Sequence, residues 1–412
     1  MRKMCEGPRR SGVVWLLLAA AVVLVAVVYY RVVWGGVANL VVALDHCREL
    51  YCDFTRQYYP TGQEILRSGQ PSNGYFYSSF FALLLAPFGR MAPEQAVGWW
   101  SVVQLVGLLL LLIPAADFYR QSRAAALLYV ALLAFSMPVL HNLKWGQVST
   151  LMTGCVFAAL YLNTRGRWRG AAVVLGFAAA IKYYVAVFAW VWLVRRAWRF
   201  LIALAVVAAV CWLLLPALAL GPDGNWAFYR TVSERMTHAL ATWLPEDINS
   251  QYLPSVVGRW LGTTSGRTVW QFTGYGLFAL NALAVARYLR RQEASWAVDA
   301  WAYGLLFLAL PFAINTSWPH YFVYLPFVQV LLWLRLRQAD GRAGQWRTRL
   351  QWALLIASII LASMPFFQLI GDWRLYSRAG VLFVANLCVL VAAHVDCPAA
   401  TPPPLPRTGE MI

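Results

Sequence analysis

The first spacing that suggests chemistry in this 412-residue chain is Asp53 followed by the adjacent pair Tyr58 and Tyr59. A carboxylate held beside aromatic rings suits general-base work on a sugar hydroxyl, and aromatic faces stack on the apolar faces of pyranose rings. The same Asp, followed by Phe-Thr-Arg, also fits a helix N-cap, and spacing alone favours that structural role. Lys182 interrupts the apolar run 171–194. An ionisable residue at membrane depth is a functional candidate by default. At headgroup level its ammonium could bind a phosphate, or simply snorkel to the interface. His320, in NTSWPHYFVYLP, could orient a phosphate or bond a sugar hydroxyl, although an aromatic belt also accommodates such a His. Lys144, in HNLKWGQ, is a more ordinary loop lysine, and Asn249, Ser250 and Gln251 form a polar cluster that also reads as a loop-to-helix boundary. Asn315-Thr316-Ser317 fits a glycosylation acceptor, a match short enough to be accidental. No P-loop, strand-borne G-x-G-x-x-G or G-x-S-x-G elbow is present. Nucleotide-driven chemistry on the chain is therefore not expected, and an energy-rich donor has to arrive from the membrane.

The elements that must position these groups are helices in lipid. The chain is 61% hydrophobic and 12% charged, against roughly 25% charged in soluble domains. The runs Val13–Tyr30, Ala96–Ala116 and Phe200–Leu220 approach or exceed the ~20 residues that cross a hydrocarbon core. The net charge of +17 does not point to nucleic acid, because the basic residues punctuate the ends of apolar runs as the positive-inside rule requires. Nearly all are Arg; the lysines are Lys3, Lys144 and Lys182. The seven cysteines show no zinc-like spacing, but Cys47 and Cys52 share one loop in which a disulfide could form. The first apolar run is too long for a cleaved signal and reads as an anchor.

Counting Arg and Lys in short loops gives the topology. The N-terminus MRKMCEGPRR is cytoplasmic, and span 1 covers about 13–34. An acidic outward loop follows at 35–95, carrying Asp45, Glu49, Asp53 and Glu64, with an interfacial or re-entrant helix inside it at Tyr75–Phe88. Spans at about 96–117, 124–140 and 149–163 come next. The stretch 171–194 is basic at both ends and must be a hairpin of two short helices with Lys182 at its turn. A span at about 200–220 leads to a second outward segment at 221–266. Spans at about 267–286 and 295–313, one beginning near His320 and ending at Arg335 and Arg337, and two at about 350–369 and 379–395 complete the set. The reading is an all-α polytopic membrane protein of about twelve helices. It predicts one integral domain over 1–395, a Pro-rich cytoplasmic tail at 396–412, and a multi-pass place in the cell (inner) membrane with both termini cytoplasmic.

Several segments, in order, carry a resemblance. They are DFTRQYYPTGQEILRSGQPSNGYFYSSFFALLLAPFGRM, the Gly-Gln start and basic turn of KWGQVSTLMTGCVFAALYLNTRGRWRG, the hairpin GFAAAIKYYV, INSQYLPSVVGRWLG and WPHYFVYLPF. Together they resemble the C-type glycosyltransferase superfamily, most closely glycosyltransferase family 87, the polyprenyl-phosphate-mannose-dependent α-mannosyltransferases, over about 50–340. Tyr77-Ser78-Ser79 stands where the family pattern has a proline-containing turn, and Asn249-Ser250-Gln251 permutes the usual order. The resemblance implies a C-type glycosyltransferase fold with a long first extracytoplasmic loop. It implies inverting transfer of a hexose, mannose first, from a polyprenyl-phosphate donor to a lipid-linked or cell-envelope glycan on the outer face. Asp53 matches the catalytic acid and becomes the general base. Lys182 and His320 become the cations for the leaving phosphate, with Lys144 and Arg56 behind them. Tyr58, Tyr59, Gln147 and Asn249 complete the expected substrate contacts.

No metal or other cofactor is expected, although Asp45, Glu49 and Asp53 could share a divalent cation. The partners implied are the donor lipid, the acceptor and the bilayer. A competing reading is a transporter or flippase of lipid-linked sugars. It requires carboxylates near mid-bilayer, and Asp299, the best candidate, lies near a cytoplasmic end. A non-catalytic scaffold would need no acid and cations converging on one face.

Overall fold

The computed structural model describes residues 7–44, 47–263, 266–338 and 345–395. Met1–Glu6, Asp45 and the tail 396–412, on which some sequence expectations fall, lie outside these residues. The described chain is helical, and its extended pairing is limited to an isolated bridge between Ser136 and Ser363. Among the described residues five helices are long and apolar enough to cross a membrane: Trp15–Trp34, Pro93–Gln121, Trp198–Leu220, Arg267–Arg291 and Trp296–Ala313. The chain is thus a multi-pass helical membrane protein. The seven other spans expected from sequence are helical segments of 12 to 17 residues, among them Arg123–Ala134, Ser149–Thr164, Trp168–Ile181 and Gln345–Leu361. Lengths of that order reach about 18–26 Å, short of the hydrocarbon thickness of about 30 Å.

Two of these segments are short because they break together. The expected span at 124–140 stops at Ala134, and Ser136 caps a new helix, Met137–Trp145. The helix Gln345–Leu361 likewise stops before Ser363, which caps Met364–Ile370. The freed backbone groups satisfy each other: Met137 N donates to Ala362 O at 3.0 Å, and Met364 N donates to Phe135 O at 2.9 Å. Irregular backbone inside a membrane protein survives only where protein supplies such partners. The sequence turn expected at His141–Ser149 is therefore helical as far as Trp145, and the chain reverses at Gly146, whose φ is 64°.

The hairpin expected at 171–194 has a direct geometric support. Gly176 lies against Leu204 and Val207, and Trp212 Nε1 donates to Ala180 O at 2.7 Å. Contacts advance in the same direction along both helices, so Trp168–Ile181 and Trp198–Leu220 run parallel. The segment between them must return over the same distance. Six residues of 3-10 helix (Tyr183–Phe188) and six of α-helix (Ala189–Val194) do so, covering about 21 Å, as does the outgoing helix. Lys182 is the extended residue at the reversal, with φ −124° and ψ 108°.

The helix Trp296–Ala313 is the axis of the bundle. Of its most apolar window 89% is buried, so its apolar faces meet protein rather than lipid. Interhelical amide bonds tie it in: Asn281 Nδ2 donates to Leu305 O at 2.9 Å, and Asn386 Nδ2 to Leu308 O at 2.8 Å. Each such bond contributes on the order of 0.6 kcal/mol in lipid.

Charge separates the two ends of this bundle. At one end Arg120 and Arg165 both reach Asp117 at 3.2 Å, and Arg195 pairs with Asp299 at 2.6 Å. The same helices carry Ser149, Lys182 and Thr316 to the opposite end, with His320 following Thr316 in chain order.

At that second end the loop expected to face outward carries, among its helices, Tyr59–Arg67 and Ser79–Gly89. The second has 11 residues, about 16 Å, shorter than the hydrocarbon thickness of about 30 Å. The two cross at glycines: a Cβ on Gly89 would overlap the carbonyl carbon and oxygen of Gly62. Gly89→Ala is expected to destabilise the fold by about 1–3 kcal/mol. A lowered unfolding midpoint in detergent checks it, with Gly98→Ala, where a Cβ meets nothing within 4 Å, as the unaffected control.

Candidate active site

The first loop is fastened to the turn after Trp145. Cys47 and Cys52 are disulfide-bonded. Lys144 is 1% exposed, and its ammonium donates to the carbonyls of Cys47 and Glu49. Tyr51 N returns a bond to Lys144 O at 2.9 Å. Trp100 Nε1 donates to Gly146 O at 2.9 Å, and Gln104 Nε2 donates to Gln147 O at 3.1 Å. A Cβ on Gly146 would lie 2.7 Å from Tyr51 Cβ, so this left-handed turn also needs glycine for space. The docking brings Gln147 to Asp53.

Asp53 starts a π-helical turn, Phe54–Tyr58, and does not cap it with its side chain. The capping role favoured by spacing alone is absent. Its carboxylate instead accepts from Gln57 Nε2 at 3.3 Å and from Gln147 Nε2. Gln147 is itself oriented: Tyr58 and Tyr77 hydroxyls stand 2.8 and 2.9 Å from its Oε1. Burial raises both phenols above their usual range, so they stay O–H donors. Two donors at Oε1 fix the amide with its NH2 toward Asp53.

Asp53 and Gln147 open on a cavity of about 570 Å³. Lys182, His320 and Asn249 line the same cavity. The Lys182 ammonium donates to Ser149 Oγ at 3.1 Å and stands over the rings of Tyr321, Tyr77 and Tyr184 at 4.2, 5.4 and 5.8 Å. A desolvated cation over aromatic faces gains on the order of 2 kcal/mol, which holds this buried ammonium without an ion pair among the described residues. His320 is 3% exposed, and among the described residues neither ring nitrogen has a hydrogen-bond partner. Its ring stacks at 5.8 Å on His141.

The cavity collects five sequence-predicted residues: Asp53, Gln147, Lys182, Asn249 and His320. Tyr58 lies beneath it, bonded to Gln147. Three others point elsewhere. Tyr59 donates to Met91 O at 2.9 Å, Lys144 holds the disulfide loop, and Arg56 pairs with Glu49 at 3.0 Å outside the cavity. The Arg56 and Thr55 contacts hold the Glu49 carboxyl below the usual carboxylate range.

The sequence reading missed His141, Tyr77 and Asp247, all of which line the cavity. His141 could have been found one helical turn before Lys144. Asp247, which accepts from Trp318 Nε1 at 2.8 Å and from Asn249 N at 2.9 Å, carried no local signal. Asn249 Oδ1 in turn accepts from Trp373 Nε1 at 2.9 Å.

Among the described residues Cys47, Glu49 and Cys52 lie close enough together to suggest a metal group, but both sulfurs are spent in the disulfide. Asp299, the carboxylate a transporter would need, is paired with Arg195 at the other end of the bundle.

A helical membrane bundle whose cavity brings the Asp53 carboxylate together with Lys182 and His320 is the setting of a lipid-dependent transferase. The sequence profile of glycosyltransferase family 87 matches residues 75–311, more than half of the chain, and the chain belongs to that family. It is a membrane hexosyltransferase. It is similar to a polyprenol-phosphate-mannose-dependent alpha-(1-2)-phosphatidylinositol mannoside mannosyltransferase of Mycolicibacterium smegmatis, 25% identical over 323 residues, covering 74% of this chain and 71% of that protein. No solved structure matches. The family match includes Gln147, Lys182 and Asn249, while Asp53 and His320 flank it.

Removing the amide that orients Asp53 tests the local geometry. Gln147→Ala is expected to lower kcat about 10–100-fold while leaving KM for the donor nearly unchanged, the pattern of a lost transition-state interaction. Steady-state kinetics on the purified variant check it.

Proposed function

We propose that the protein transfers mannose from a polyprenol-phosphate-mannose donor to a lipid-linked or cell-envelope glycan acceptor, with inversion, on the extracytoplasmic side of the cell membrane. The observation that carries this reading is the convergence of Asp53, Lys182 and His320 on one cavity. The relative named above is polyprenol-phosphate-mannose-dependent and acts on a glycolipid. The disulfide beside the cavity favours an oxidising, outward side, and the arginine-rich opposite end then faces the cytoplasm.

In the proposed step Asp53 takes the proton of the acceptor hydroxyl as that oxygen attacks the anomeric carbon. The bond from that carbon to the phosphate oxygen breaks, and the electron pair leaves with the polyprenyl phosphate. The phosphodiester monoanion thus becomes a monoester dianion while the acceptor proton ends on the carboxylate. The leaving group requires positive charge rather than a proton donor. Lys182 supplies it, and His320 offers a ring nitrogen to a phosphate oxygen. Gln147 and Gln57 hold the carboxylate toward the cavity. Tyr321 and Tyr184 shield the ammonium from water.

Transfer of labelled mannose from the polyprenol-phosphate donor in membranes tests the reading. Asp53→Asn is expected to lose about 10²–10⁴-fold in rate, and Lys182→Met to weaken donor use at least tenfold. Full activity of Asp53→Asn removes it as the base. Lipid translocation without transfer from any polyprenyl donor would favour the flippase.

A further inference from the structure

A second cavity, also of about 570 Å³, lies on the other side of the loop 245–250 and is lined by Arg259, Arg267, Arg378, Ser255, Glu246 and Trp270, among others. Glu246 lines both cavities. Arg259 belongs to the wall: its guanidinium donates to the carbonyls of Arg378 at 3.1 Å, Asp247 at 3.1 Å and Ser250 at 2.6 Å. Those bonds bind the loop together; the Asp247 carboxylate offsets part of its charge without pairing with it. Burial presses this guanidinium down to about 10 despite Asp247, a penalty that a further anion would offset. Among the described residues none of the three arginines is ion-paired. Three guanidinium groups against the Glu246 carboxylate leave the lining at +2.

A second, independent feature points to a ligand. Ser255 is 4% exposed, and among the described residues its hydroxyl has no hydrogen-bond partner. An orphaned buried hydroxyl is costly, and a ligand oxygen would satisfy it. The surroundings restrict the ligand further. Trp260, Leu261, Val269 and Phe272 are 50–69% exposed on the helices that carry Arg259 and Arg267. Apolar groups around arginines suit an amphiphile at the membrane interface, with chains outside and an anionic head within. Arginine forks match phosphate oxygens bidentately, and Glu246 can accept from a headgroup hydroxyl.

We propose that this cavity binds the hydroxyl-bearing phosphodiester headgroup of an anionic lipid, separately from the sugar-phosphate site. The inference stands whether or not the transfer reaction is as proposed, because its readout is binding.

Native mass spectrometry of the purified protein with phosphatidylglycerol or phosphatidylcholine tests it. The wild type is expected to prefer phosphatidylglycerol, and R267Q/R378Q to lose about tenfold of that preference. R267K/R378K should keep part of it, since charge survives without the fork. Arg378 is exposed, so R378Q alone serves if the double variant does not fold. An undiminished preference in folded Gln variants overturns the site. Inorganic phosphate is the second arm. If it displaces phosphatidylglycerol where chloride at matched ionic strength does not, the ligand is free phosphate and the lipid assignment fails.

Discussion

The buried ammonium of Lys144, bonded to the carbonyls of Cys47 and Glu49, is the constraint on which the rest of the cavity depends. A lysine so far from water needs its protons occupied, since an unmet buried charge is far more costly than a neutral polar group. Two backbone carbonyls of one short disulfide loop meet that need. They also fix where the loop lies, because Tyr51 N bonds back to Lys144 O. The π-helical turn begins directly after this loop, so the Asp53 carboxylate inherits its position from a lysine that never enters the cavity. Gln147, three residues past Lys144, completes the closure by bonding that carboxylate. One turn of chain therefore holds the loop with its lysine and aims the acid with its glutamine.

How much of this is legible in the sequence depends on the kind of signal. Asp53, Lys182 and His320 stood out because each is a polar exception in an apolar or aromatic setting, and all three reach one cavity. The hairpin at 171–194 was readable because arginines at both of its ends leave the chain nowhere else to turn. Lys144 was misjudged because a loop lysine is ordinary in sequence, and only tertiary burial turns it into a clamp. Tyr59 and Arg56 sat at promising spacing, but a π-helical turn directs one to Met91 O and leaves the other to Glu49. The breaks at Ser136 and Ser363 were invisible for a related reason. Each sits in an apolar stretch that looks continuous, and each break is tolerated because the other supplies its missing hydrogen bonds.

The two ends of the bundle treat charge in opposite ways. Arg195 meets Asp299, and Arg165 and Arg120 meet Asp117, so the acids there are neutralised by partners a few ångströms away. Such pairs fix helices against one another and are closed to further ligands. At the cavity end Lys182 is surrounded by rings and a serine hydroxyl, and among the described residues neither ring nitrogen of His320 has a hydrogen-bond partner. The loop 245–250 extends this pattern, since Arg259 organises it through carbonyls rather than carboxylates.

That difference bears on the proposed reaction through the timing of charge. A phosphodiester carries one negative charge before transfer and the departing monoester carries two. Only interactions that strengthen along this path lower the barrier. Were Lys182 ion-paired with a carboxylate, the pair would already be near neutral, and the growing phosphate charge would compete with a fixed anion. Aromatic faces stabilise the ammonium through their quadrupoles without cancelling its charge. The cation can therefore stay dry and in place until the leaving group develops its second charge, which is the condition for a preorganised electrostatic site. Asp53, the acid the proposed reaction needs, accepts from two glutamine amides in the same cavity. These bonds hold the carboxylate at the cavity wall. The glutamines and the tyrosines thus divide one task between them: amides position the carboxylate, and aromatic faces surround the lysine, in the same cavity.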